Sequence, residues 1–250
     1  MMRIAVMVTC AVLLASGAAS AQDMDEYVNR EDGFSVLLPG TPTKTETTWK
    51  SEYGVDLPAH VYTLNTGTQR YTITFVDYRR IKEMAEERAN KACPDGNVSE
   101  RACGFTNAGR GYYRNEIGGA LIWATWQLMQ GTDKTVTHLG WQWQDLIPGH
   151  EIQWTNNATK ERTFAYVTQH ANKMFIIEAT VPGNYPPPAF FQQSLQILDD
   201  DGRIVRYTRI YSNPHAEWPE DFPAKPMRTG GGGAGAGAAA PAAPAAPAGR

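Results

Sequence analysis

Cysteine is scarce in this sequence, and the motifs that mark common catalytic or metal sites are missing. The 250 residues contain three cysteines, and none lies in a CxxC or CxxCH pattern. The chain also lacks a GxSxG nucleophile turn, an HExxH helix and a glycine-rich phosphate loop followed by Lys-Ser/Thr. The sequence therefore predicts no catalytic residue, no metal site and no cofactor.

Long apolar runs and a strong charge of either sign are missing as well. The longest apolar run, residues 4 to 15, is shorter than the ~20 residues that a bilayer requires. It follows Arg3 and leads to small residues, so we expect a secretory signal cleaved after Ala21, and no membrane span. The formal net charge of −3 argues against a nucleic-acid partner, which would require clustered basic residues.

Two cysteines remain after the expected cleavage, Cys93 and Cys103, in the stretch CPDGNVSERAC. An even pair in an exported chain, separated by a polar and turn-rich loop, is most simply a disulfide. Metal binding is the alternative, but neither a second cysteine pair nor a nearby histidine accompanies the two. We therefore expect the two sulfurs to be bonded in the native protein.

Composition divides the chain into four parts. Residues 1–21 are the expected signal peptide, and residues 22–212 are long enough for a single core. Closely spaced prolines in residues 213–228 predict an extended strap, because proline fits neither a helix interior nor an inner strand. Residues 229–250, TGGGGAGAGAAAPAAPAAPAGR, offer no large side chain to bury and are predicted to be disordered.

Hydrophobic periodicity supplies a coarse map of the central domain. FSVLL reads as a first strand that ends at Pro-Gly, HVYTLNTGTQRYTITFVDY as two strands, and RRIKEMAEERANKA as a helix with one apolar side. GGALIWATWQLMQGTDKTVTHLGWQWQD and KERTFAYVTQHANKMFIIEATVPG each read as a hairpin. A helix is predicted in PPPAFFQQSLQILDDDG, and an edge strand in RIVRYTRIY.

Strands joined as hairpins, with one helix after the third strand and another near the end, predict an α+β domain in which helices cover an antiparallel sheet. The order of FSVLLPGTP, YTITFVDY with its helix, and MFIIEATVPG before FFQQSLQIL resembles the α/β/α sandwich of PsbP-like proteins. It is also similar to families of exported bacterial proteins that begin with the same Phe-x-Val-x-x-Pro-Gly-x-Pro strand. The resemblance implies a single-domain sandwich in the cell envelope, and no catalytic residue.

Tryptophan is the one residue type whose distribution suggests recognition. Five tryptophans lie within the 32 residues from Trp123 to Trp154, and Trp141 and Trp143 alternate with Leu139 on one face of a predicted strand. Aromatic rings on a rigid sheet can stack on sugars or hold an apolar ligand. The interpretation we favour from the sequence is that most of these rings fill the core, with Trp141 and Trp143 as the possible ligand platform.

Two function classes follow. The first is a non-enzymatic periplasmic or secreted protein that binds an envelope protein or a small ligand. The alternative is an envelope hydrolase or another enzyme whose site the sequence does not reveal. That alternative requires polar groups converging on a pocket, for which His138, Glu151 and His170 are the candidates.

Overall fold

The fold is built on a seven-stranded antiparallel sheet. The structure is a computed structural model and describes residues 23–92 and 113–212, so Cys93, Cys103, the expected signal, the strap and the tail lie outside the described residues. Within the described part the strands are β1 (Asp25–Asn29), β2 (Phe34–Leu38), β3 (Thr43–Lys50), β4 (Asp56–Asn65), β5 (Arg70–Asp77), β6 (Lys134–Gln144), β7 (Ile147–Asn156), β8 (Arg162–His170), β9 (Lys173–Val181) and β10 (Gln196–Ile197). The helices are α1 (Ile81–Ala92), α2 (Tyr113–Met129) and α3 (Ala189–Gln192).

The large sheet has the strand order β3-β4-β5-β9-β8-β7-β6, and a small sheet has the order β1-β2-β10. All pairings are antiparallel, and β5 with β9 joins the two halves of the large sheet. The predicted antiparallel sheet is therefore confirmed. Among the described strands, its edges are β3 and β6.

Each face of the large sheet buries its own apolar cluster, because successive side chains of a strand point to opposite faces. On the first face, which we call the helix face, Ile176 of β9 and Val167 of β8 pack with Ile117 of α2. On the other face, Phe75 and Phe175 pack with β2 and with Phe191 of α3. Residues of α1 and α2 thus join the cluster on the helix face, and residues of the small sheet and α3 join the cluster on the other face.

Several predicted elements are confirmed by the structure. The strand FSVLL is β2, the two strands around Asn65 and Gly67 are β4 and β5, and the helix after them is α1. The β8–β9 hairpin turns at Ala171 and Asn172, whose positive φ angles of 47° and 58° suit a tight two-residue turn.

Four predictions about the secondary-structure elements are wrong. The first half of the predicted aromatic hairpin is helix α2, whose buried residues recur at helical spacing, as in Ile117, Ala120 and Ala124. The helix after the prolines ends at Gln192, because the chain then turns to pair β10 with β2. The predicted edge strand from Arg203 to Tyr211 is irregular, and β1 precedes the strand that was expected to be first.

Polar contacts at three points fix helix α2 over the sheet. The buried Glu116 carboxylate accepts a hydrogen bond from the Ser51 hydroxyl at 2.7 Å, and burial raises the pKa of Glu116. The indole of Trp123 donates to the Lys50 carbonyl oxygen at 3.0 Å. On the opposite side of the helix, Thr125 Oγ1 lies 2.7 Å from Nδ1 of His150 on β7. These contacts hold α2 across the sheet from the end of β3 to β7.

The last described segment is fastened to the sheet by an aromatic cluster. His170 Nε2 lies 2.7 Å from the Tyr207 hydroxyl oxygen, and the ring of Tyr211 lies 4.6 Å from the His170 ring, centroid to centroid. Burial, with a smaller contribution from the Lys173 charge, lowers the pKa of His170 to about 4.

Among the described residues, no helix is long and apolar enough to span a bilayer.

This cluster predicts an acid-sensitive contribution to stability. The folded protein keeps His170 neutral down to about pH 4, whereas the unfolded chain takes up the proton near the ordinary pKa of 6.5. The contribution is therefore complete above about pH 6.5 and is lost as the pH falls toward 4. We expect the stability advantage of the wild type over His170→Gln to shrink by about 1–3 kcal/mol between pH 7.5 and 4.5, after allowance for partial solvent screening.

Urea unfolding of both proteins at the two pH values measures this difference. His138→Gln, which replaces an exposed imidazole, is the matched control. An advantage of wild type over His170→Gln that stays constant with pH would contradict the assignment of His170 as a buried neutral group.

Candidate functional site

Three large apolar side chains of edge strand β6 are exposed on the helix face of the large sheet. The exposed fractions are 50% for Leu139, 63% for Trp141 and 47% for Trp143. We call these three residues the tryptophan edge. The predicted placement of the three on one strand face is confirmed, and Trp141 and Trp143, which the sequence analysis set apart as the possible ligand platform, are both exposed.

The tryptophan edge is exposed because helix α2 lies over β7 and does not extend over the neighbouring strand β6 at these residues. Trp141 lies opposite His150 of β7, and the two rings meet edge to face with their centroids 4.5 Å apart. His150 in turn contacts Thr125 of α2. Burial in this position lowers the pKa of His150. The helix therefore covers β7, and β6 extends beyond it.

The two edges of the large sheet differ in their protection against pairing with another strand. Edge strand β3 carries Lys44, Glu46 and Lys50, and charges of this kind discourage association at a free edge. Edge strand β6 has one Lys, Arg, Asp or Glu residue, Lys134, at its first position. A register shift between Val136 and His138 further separates that end from the rest of the strand. The stretch from His138 to Gln144 is an uncharged edge with an apolar stripe.

The opposite face of β6 and β7 is polar. Glu151 accepts hydrogen bonds from the side-chain amides of Gln153 and Gln192, at 2.9 and 3.0 Å. The Gln144 side chain donates to the Gln192 carbonyl oxygen at 2.7 Å. His138 pairs in register with Gln153 and is exposed. The face of β6 and β7 opposite the tryptophan edge therefore carries amide and imidazole groups.

The three candidates for an enzyme site, His138, Glu151 and His170, line neither of two cavities in the part of the chain that the structure describes. Glu151 of β7 pairs with Tyr166 of β8. His170 lies four residues further along β8, so its backbone is about 13 Å from the position that faces Glu151. A cavity of about 670 Å³ lies between β2 and α3, and one of about 300 Å³ lies beside the prolines at 186–188. Neither His138, Glu151 nor His170 lines either cavity. The exposed ring of Phe190 lines both.

A buried polar network that the sequence analysis missed joins the β1–β2 turn to β4. The Asp32 side chain is buried, its carboxylate accepts a hydrogen bond from the Tyr62 hydroxyl at 2.6 Å, and it lies 2.8 Å from His60 Nδ1. The donors lie 28 and 30 residues along the chain from Asp32, so no local motif signals the contact. Tyr62 has its pKa raised, first by burial and then by this hydrogen bond.

Glu31, Asp32 and His60 are also the residues that could hold a cation, since their ligand atoms lie within 4.8 Å of one another. Each of them already has a partner of its own. Glu31 forms an ion pair with Lys44 at 2.8 Å, and His60 and Asp32 face each other. A metal would have to displace both pairs, so the arrangement is better explained as a structural network.

The remaining tryptophans of the aromatic region have separate environments. Trp123 and Trp126 stack on α2 with their ring centroids 4.9 Å apart, and Trp126 is 48% exposed. Trp154 packs against the core of the helix face, with the Lys134 ammonium 4.8 Å from its ring centroid. Trp126 therefore offers an exposed tryptophan that does not belong to the tryptophan edge.

Comparisons with known proteins add a likeness to solved structures. No protein-family model matches the chain, and no curated protein matches it. Among solved structures, the chain is similar to the solution structure of cyanobacterial PsbP (CyanoP) from Synechocystis sp. PCC 6803. The two share 14% sequence identity at a TM-score of 0.39, over 72% of this chain and 96% of that chain. Membership of the PsbP-like family stays a prediction from the sequence.

The Asp32 network predicts that removing the Asp32 carboxylate destabilises the fold more than removing the neighbouring Glu31 carboxylate. Asp32→Ala leaves the Tyr62 hydroxyl and the His60 imidazole without their buried partner, so we expect a loss of roughly 2–4 kcal/mol in the free energy of unfolding. Glu31→Ala removes an ion pair whose carboxylate is exposed, and should cost less than about 1 kcal/mol. Chemical denaturation of the two variants measures both losses, and a loss for Asp32→Ala as small as the one expected for Glu31→Ala would contradict the structural role of Asp32.

Proposed function

We propose that this chain is an exported, non-enzymatic binding protein that engages a protein partner through the tryptophan edge. The observation that supports this proposal best is the exposure of Leu139, Trp141 and Trp143 on a stretch of edge strand that contains no Lys, Arg, Asp or Glu. Soluble proteins rarely leave such a stripe in contact with water, and tryptophan is enriched where proteins associate.

The edge position favours a protein partner over a small ligand. Within the described residues β6 pairs with β7 alone, so its other side carries main-chain donors and acceptors that a second strand can satisfy. A strand added there would gain these hydrogen bonds and would place alternate side chains against the two tryptophan rings. Leu139, Trp141 and Trp143 also line neither the cavity between β2 and α3 nor the one beside the prolines at 186–188, whereas small ligands are usually held in enclosed pockets.

The proposal includes a periplasmic or secreted location, which the expected signal in residues 1–21 supports. It also keeps the PsbP-like α/β/α assignment that the order of the sequence elements suggests. The enzyme alternative receives no comparable support, because His138, Glu151 and His170 line neither the cavity between β2 and α3 nor the one beside the prolines at 186–188.

Site-specific crosslinking in the native cell tests the proposal. A photoreactive amino acid at position 141 should give a discrete protein adduct after irradiation, because a bound partner would lie against that side chain. The matched controls are position 126, an exposed tryptophan on α2, and position 47, an exposed residue on the opposite edge strand β3.

The expected result is an adduct formed from position 141 and from neither control position. Position 141 giving no adduct, or giving the same diffuse products as positions 126 and 47, would contradict the proposed function. The chain carrying each substitution must first be shown to accumulate at the same level.

A further inference from the structure

We infer that the partner on the tryptophan edge is a second copy of this chain, paired antiparallel through β6 about a twofold axis. The inference rests on the proposed function and names the occupant of the same surface. It is argued from the geometry of the edge, from its charge and from the area that it exposes.

The geometry of a β6–β6 pair suits the position of the tryptophan edge. A twofold axis perpendicular to the sheet makes strands antiparallel and keeps the helix face of both copies on the same side. The two seven-stranded sheets would then form one sheet of fourteen strands. Leu139, Trp141 and Trp143 of both copies would share the space between the two α2 helices, which neither helix covers alone.

The residues of β6 are compatible with facing themselves. The stretch from His138 to Gln144 contains no Lys, Arg, Asp or Glu, so a pairing centred within it sets no like charges against each other. Lys134 lies at the far end of the strand and would face the end of the partner strand, away from its own counterpart. With a formal net charge of −3 on each chain, the overall repulsion between two copies is also small.

The exposed area predicts a weak dimer. A large aromatic side chain can bury roughly 150–250 Å², so the exposed parts of Leu139, Trp141 and Trp143 amount to roughly 350 Å² in each copy. A stable interface of standard size buries about 800 Å² on each side. Backbone and polar neighbours on β6 add to the apolar stripe, which places the pair among small and reversible interfaces. We expect a dissociation constant in roughly the micromolar range.

Sedimentation velocity of the full exported chain over a wide concentration range tests the inference. Wild type should shift from monomer to dimer, whereas Trp141→Lys should weaken association by more than about tenfold, because it brings two ammonium groups together across the axis. Trp143→Lys is a second variant of the same edge. Trp126→Lys and Thr47→Lys, which alter an exposed tryptophan elsewhere and the other edge strand, should dimerise like wild type.

Circular dichroism and urea unfolding confirm that each variant is folded before its association is compared. A wild type that stays monomeric at every concentration would overturn the inference, and so would equal weakening by Trp126→Lys and Trp141→Lys. These results are separable from failure of the proposed function. A position-141 adduct with a different protein keeps the tryptophan edge as a binding surface and rejects the second copy, whereas absence of any adduct rejects both.

Discussion

The placement of helix α2 is the constraint on which the candidate site depends. Glu116 and Trp123 bind the backbone and side chains at the end of β3, while Thr125 binds His150 on β7. A helix held at these points spans the centre of the sheet and cannot also cover β6. Leu139, Trp141 and Trp143 of β6 therefore remain exposed on the helix face, although apolar residues of the inner strands on that face are buried.

The same constraint separates two uses of aromatic residues in this fold. Phe75, Phe175 and Phe191 lie under the small sheet and α3, where they contribute to the core in the ordinary way. Trp141 and Trp143 have the same alternation along their strand but lie beyond the cover of α2. Like the buried phenylalanines they are large aromatic side chains, but they are exposed to solvent and do not contribute to the core.

Local sequence patterns were sufficient to predict the strands in which apolar residues and flanking turn residues indicate the same boundaries. β5 has apolar residues at every second position, β8 and β9 are short and mostly apolar runs, and turn residues separate β4 from β5 and β8 from β9; the structure has all four strands. Helix α2 was mistaken for a strand because its run of Ile, Trp, Thr and Leu has the composition of a strand. Its helical spacing becomes evident only when Tyr113, Ile117, Ala120 and Ala124 are read together.

The candidate site was predicted only in part, and the reason is physical. Alternation placed Leu139, Trp141 and Trp143 on one face, but whether a face is covered depends on how far a helix elsewhere in the chain reaches. The Asp32 network was missed for a similar reason, since its members come from segments about 30 residues apart. Long-range packing decides both features, and local periodicity carries no information about it.

Amide hydrogen exchange along β6 tests the central claim most directly, because it reports on the edge itself. The outward-facing amides between His138 and Gln144 should exchange slowly at protein concentrations far above the dissociation constant and rapidly far below it, while the amides of edge strand β3 should be unaffected. Exchange on β6 that is equally rapid at all concentrations, with or without extracts of the native envelope, would show that this edge binds nothing.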